Sequence, residues 1–165
     1  KTTKQLECLK ESKADMEFME FDVNTCFEEG GLKKEAERIV AEAERVISKG
    51  RTAVVYTSRK LLTPDTTDKD KILELSVQIS DAVTSIIGKL KVKPAFIIAK
   101  GGITSSDVGT KALHVKKANV MGQVQKGIPV WMTGKESKFP GMPYIIFPGN
   151  VGEVSTLRQI VEELA

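Results

Sequence analysis

The chain is poor in several residue types that carry specialised chemistry. It has one histidine, His114, which sits at a predicted helix end beside lysines and reads as cationic decoration of that end rather than as a catalytic base. No serine–histidine–acid triad and no metal cluster can be assembled around it. Two cysteines, Cys8 and Cys26, stand near the N-terminus without metal-ligand spacing and read as free, buried or half-buried thiols. Aromatic residues make up 5% of the chain, which leaves few stacking platforms for bases, and Trp131 and Phe139 are assigned to core or interface. A net charge of +3, with lysines and arginines spread along the chain, argues against a nucleic-acid partner. The longest apolar runs are about five residues, too short to span a membrane. No stretch reads as a signal peptide, which points to a cytoplasmic protein. The opening Lys1-Thr2-Thr3-Lys4, without an initiator methionine, reads as the start of a fragment or processed product.

What is present is an ordinary globular composition, 41% hydrophobic and 28% charged, over 165 residues, enough for one domain with a real core. Leu6 and Leu9 lie at helical spacing within Thr2–Ser12. Met16–Val23 alternates apolar and acidic residues and predicts a short strand. Residues 32–49 predict an amphipathic helix with Ala36, Ile39, Val40, Ala43, Val46 and Ile47 on one face and Gly50 as its C-terminal stop. Thr52–Thr57 predicts a buried strand. Lys71–Leu90 predicts a long helix built on Ile72, Leu75, Ile79, Val83, Ile86 and Ile87. Strands follow at Ala95–Ala99, Ala118–Val124, Ile128–Met132 and Tyr144–Phe147. A helix starts at Thr104–Ser106 and runs to about Leu113, and another closes the chain over Glu153–Leu164. The alternation predicts an α/β fold: a layered, mixed and mostly parallel sheet flanked by helices, with glycine-rich strand-to-helix loops.

Three strand ends share a pattern. Val54–Thr57 runs into Ser58-Arg59, Phe96–Ala99 into Lys100-Gly101-Gly102, and Ile145–Phe147 into Pro148-Gly149-Asn150. Parallel strands of an open α/β sheet place their C-terminal ends along one ligand-binding edge. If these three are parallel neighbours, Ser58, Gly101–Thr104 and Gly149–Gly152 line one crevice. Glycine there permits positive φ and lets a phosphate approach the main chain, and a helix start offers free N–H groups. Strand-to-helix turns also use Gly and Ser for backbone reasons alone. Lys100 is either a solvated lysine or, like Arg59, a neutraliser of phosphate charge; Asp107 is either a capping acid or an indirect magnesium contact. The chain has no GxxxxGK[ST] P-loop and no GxGxxG dinucleotide fingerprint.

Taken together, Thr57-Ser58-Arg59, the run Ala99–Asp107, Gly122-Gln123 with Gly127–Trp131, and Phe147-Pro148-Gly149-Asn150-Val151-Gly152 occur in one order. In this the chain resembles, over essentially its whole length, the C-terminal nucleotide-binding domain of the four-carbon acid sugar kinases. The resemblance implies a two-domain enzyme that moves the γ-phosphoryl group of ATP, with Mg²⁺, to the terminal hydroxyl of a four-carbon sugar acid such as threonate, erythronate or an oxo-tetronate. It implies that residues 1–165 hold ATP, and that the sugar acid and catalytic base belong to an N-terminal domain outside this chain. Carried over by position, Ser58, Gly101, Gly102, Ile103, Thr104 and Gly149 are nucleotide contacts, with Asn150 and Gly152 from the same final loop. That loop, Phe-Pro-Gly-Asn-Val-Gly, differs from the Lys-x-Gly-x-Phe-Gly of many members and resembles a distinct subgroup. A homo-oligomer is left open. A non-catalytic module that binds a phosphorylated metabolite through the same loops is the second reading.

Overall fold

In the computed structural model, which describes residues 2–58, 69–101, 107–113, 118–149 and 151–164, the chain divides into two compact units. Met16–Val92 forms one, and Lys1–Asp15 with Lys93–Ala165 forms the other.

In the Met16–Val92 unit, β1 (Met16–Phe21) leads through a 3-10 turn (Val23–Phe27) and helix α2 (Gly31–Ser48) to β2 (Thr52–Thr57). The two strands pair in parallel, from Met16 beside Thr52 to Phe21 beside Thr57, so α2 is the crossover that a parallel pair requires. Ala36, Ile39, Ala43 and Val46 are buried on one stripe of α2, at the spacing the sequence predicts, while Val40 and Ile47 are half-buried at its margin. Gly50, at φ 74°, ends the helix in the left-handed conformation, and its N–H donates to the Ile47 carbonyl at 2.9 Å. Helix α3 (Lys69–Lys89) completes this unit and packs on α2.

The other unit holds α1 (Thr2–Lys10), β3 (Ile97–Lys100), a π-helical turn (Val108–Ala112), β4 (Ala118–Gln125), β5 (Ile128–Thr133), β6 (Pro143–Phe147) and α4 (Thr156–Leu164). Its sheet has the order β3-β6-β5-β4. β6 is the pivot, parallel to β3 and antiparallel to β5, and Tyr144, Ile145 and Phe147 on it are 2%, 0% and 0% exposed. Strands β4 and β5 form a hairpin around Lys126-Gly127, with Gly127 at φ 81°. The Thr133 hydroxyl, itself buried, accepts from the Met142 N–H at 2.9 Å and pins the loop between β5 and β6. Helix α1 packs against α4, and Leu9 is 1% exposed.

The layered, mixed α/β architecture is the one expected; among the described residues two strand pairings are parallel and two antiparallel. One expectation is corrected. β2 is not a sheet neighbour of β3 and β6; it pairs with β1 in a separate two-stranded sheet. An apolar run announces a strand but carries no record of its partner. Both cysteines are free and half-buried, as expected.

Candidate functional site

The C-terminal ends of β3 and β6 lie side by side. Lys100 pairs with Phe147 in the parallel register, and the Gly101 N–H extends that ladder by donating to the Phe147 carbonyl at 2.8 Å. Gly101 sits at φ 105°, a conformation that a side chain disfavours. Gly149, on the turn after β6, is exposed, and a Cβ built on it would lie 3.9 Å from the Gly101 Cα. The main chain at Gly101 and at Gly149 therefore approaches closely, and neither residue carries a side chain. The Lys100 ammonium reaches across, 3.4 Å from the Gly149 carbonyl and 4.4 Å from the centre of the Phe147 ring, so its charge is held at this edge. Gly152, at φ 84°, closes the turn before α4; a Cβ on it would stand 3.0 Å from three side-chain atoms of Thr156. Asp107 makes no capping bond to the turn that follows and lies 3.7 Å from Lys111.

Ser58 lies in the other unit, where it follows β2. Its N–H donates to the Phe21 carbonyl at 2.9 Å and its hydroxyl oxygen accepts from the Val23 N–H at 3.0 Å. It thus ties the end of β2 to the end of β1 and the 3-10 turn. Asp22 caps that turn, accepting from the Asn24 N–H at 3.0 Å. The buried Glu35 carboxylate accepts from the Asp22 N–H at 2.7 Å and pairs with Arg38, whose Nη2 also donates to the Glu20 carbonyl at 2.9 Å. The Arg38 hydrogen bond, together with that of the Asp22 N–H, outweighs burial and holds the Glu35 carboxyl below its ordinary value. Ser58 and these groups line an open cleft at the carboxyl edge of the two-stranded sheet.

A family model for the nucleotide-binding C-terminal domain matches residues 1–157. The chain belongs to that family. No curated protein sequence matches it. Among solved structures, a Salmonella typhimurium LT2 protein provisionally named a tRNA synthase is 17% identical with a TM-score of 0.64, over 99% of this chain and 38% of that one. A DUF1537 protein of Bordetella bronchiseptica, a domain-swapped dimer with bound citrate, is 16% identical with a TM-score of 0.62, over 98% of this chain and 37% of its own. A Haemophilus influenzae protein of the DUF1537 family is 18% identical with a TM-score of 0.62, over 99% and 37%. The chain thus spans less than two-fifths of the length of the solved proteins it is similar to. These likenesses establish the fold of the nucleotide-binding domain.

Of the residues the sequence singles out in this nucleotide-binding domain, Gly101 and Gly149 are brought together and Gly152 lies on the same turn as Gly149. Ser58 belongs to the other unit. Gly102, Ile103, Thr104 and Asn150 lie outside the described residues, as do Arg59 and His114. Sequence reasoning passed over Asp22, Glu35 and Arg38. Glu35 reads as one more charge on an amphipathic helix, and only its 8% exposure distinguishes it. No helix among the described residues is long and apolar enough to cross a membrane.

Proposed function

We propose that this domain holds the ATP of a kinase that phosphorylates a four-carbon sugar acid at its terminal hydroxyl. The observation that carries the reading is the pair of glycine turns at the ends of the parallel strands β3 and β6. Gly101 and Gly149 leave the main chain bare where a phosphate chain must approach closely. The N–H groups of Gly149 and Gly152 have no partner among the described residues, so both can donate to phosphate oxygens. Lys100 adds a positive charge at that edge, and Gly102, Ile103 and Thr104 continue the same loop in sequence. Asn150 follows Gly149 in the same sequence run, and Ser58 is proposed as a nucleotide contact on the family resemblance alone.

Phosphoryl transfer depends on positioning and charge stabilisation rather than on covalent chemistry by the protein. These residues fit that role: they bind and orient phosphates. Among the described residues no group of three or more His, Cys, Asp or Glu side chains is arranged to hold a metal ion. Mg²⁺ bound through nucleotide phosphates fits such a site, since this ion keeps few protein ligands. The base that orients the sugar hydroxyl and the sugar-acid pocket belong to an N-terminal domain.

Titration calorimetry with ATP–Mg²⁺, NADH and sugar phosphates tests the reading. Heat with ATP alone supports it; heat with sugar phosphates alone supports a non-catalytic metabolite-binding module instead. Gly149→Asp puts a carboxylate where phosphate is to sit, in space that accepts a Cβ. This variant is expected to keep its thermal midpoint and lose ATP binding. Unchanged affinity in the folded variant removes the site.

A further inference from the structure

Gln5 on α1 is 0% exposed, and its amide Nε2 donates to the Glu153 carbonyl at 3.0 Å and to the Val151 carbonyl at 3.4 Å. These two carbonyls flank Gly152, on the turn that leads from β6 into α4. In a planar trans peptide the C=O and the following N–H point in opposite directions, and no described peptide is cis. With the Val151 and Glu153 carbonyls drawn to a buried amide, the N–H groups of Gly152 and Val154 are turned away from it. Neither donates to any described residue, and Val154 is 46% exposed. The intervening Glu153 N–H is already taken, by the Thr156 hydroxyl at 2.7 Å. The result is a pair of N–H groups, two positions apart and without an acceptor among the described residues, on the turn that leads into α4.

We infer that Gln5 is a positioning residue for nucleotide: its amide fixes the Val151–Glu153 backbone so that the Gly152 and Val154 N–H groups face the phosphates. The inference rests on the nucleotide reading of this turn. Docking of α1 alone does not explain the residue. Leu6 and Leu9 are already buried there, and Ser12 donates to Glu162 at 2.6 Å. Moreover, the Gln5 Oε1 is buried with no hydrogen-bond partner. An unpaired buried acceptor is costly; an apolar side chain of the same length removes that cost but leaves the Val151 and Glu153 carbonyls without their donor. The amide therefore both satisfies the turn and aims it, and ligand binding separates the two roles.

Gln5→Met tests this, with ATP, ADP and adenosine binding followed by ligand-observed NMR and the thermal midpoint measured without ligand. ATP and ADP affinities should fall roughly tenfold while adenosine affinity stays within about twofold and the midpoint moves by only a few degrees. Val154→Pro removes one of the donors directly, two residues before the first residue of α4 and so outside its hydrogen-bond ladder, and should weaken ATP binding as well. In the double variant the loss should be smaller than the sum of the two single losses, because both substitutions act on the Val154 N–H. A folded Gln5→Met chain that binds ATP like the wild type overturns the inference, as does an equal loss of ATP and adenosine, which marks a purely structural role. If Gln5→Met does not fold, unchanged ATP affinity in Val154→Pro overturns it instead. A wild-type chain that binds neither ATP nor ADP removes the nucleotide reading itself, and the positioning role with it.

Discussion

Adjacent glycines at the start of α2 are constrained in different ways. Gly30 sits at φ 66° with nothing within 4 Å of where a Cβ would stand. Gly31 has no such φ, but a Cβ on it would lie 2.2 Å from the Thr25 carbonyl oxygen and 2.9 Å from the Glu28 Cβ. Gly30→Ala should therefore cost about 1 kcal/mol, the price of a left-handed residue. Gly31→Ala meets backbone and should cost about 2–3 kcal/mol; urea denaturation of the two variants checks the order. Glu35 gives a pH-dependent counterpart. Its carboxyl is held below the ordinary value of 4.5 in the folded chain, chiefly by Arg38. Its contribution to stability is therefore complete above that value and is lost as pH falls through the lower, folded one. Glu35→Gln should be less stable than the wild type near neutral pH by about 1 kcal/mol, a modest figure because Arg38 is half exposed. The gap should narrow below pH 4.5 in denaturation curves taken across the acid range. None of this is legible in sequence, where Glu35 is one acid among many and Gly30-Gly31 is simply a break.

Helices α2 and α3 show the same contrast one level up. Both carry apolar residues at helical spacing, and the sequence predicts both with bounds that shift by no more than two residues. In α2 the stripe is buried, with Ile39 at 0% exposure. In the first half of α3, Ile72, Leu73 and Val77 are 39%, 63% and 52% exposed; burial begins in its second half, at Thr84 and Ile86. Periodicity reports which residues share a face, not whether another element covers it. Ile39→Ala should accordingly destabilise the chain by about 2–5 kcal/mol. Leu73→Ala should stay within about 0.5 kcal/mol. Equal losses in chemical denaturation would mean that α3 is covered in solution. The strands follow the same logic. The six described strands were legible, β1 from its alternation of apolar and acidic residues and the others as short strand-like runs, but the 3-10 turn after β1 was not, since its side chains carry no period.

For the whole molecule, the proposed function implies a division of labour that limits what this domain does alone. The proteins it is similar to are more than twice its length, and under the proposed function the sugar-acid pocket belongs to another domain. The chain is expected to bind ATP weakly and to transfer no phosphate to threonate or erythronate; phosphorylated sugar acid in a coupled assay of this chain would sink that division. The sequence by itself determined the strands and the long helices, the face of α2 that is buried and the family, because periodicity, turn residues and ordered motifs are local properties of the chain. Tertiary structure decided the rest. It placed Gly101 beside Gly149, assigned β2 and Ser58 to β1 instead of to β3, and set Gln5 against a turn 148 residues away. Such contacts join segments remote in sequence, and packing and hydrogen-bond satisfaction choose between them only once the chain has folded.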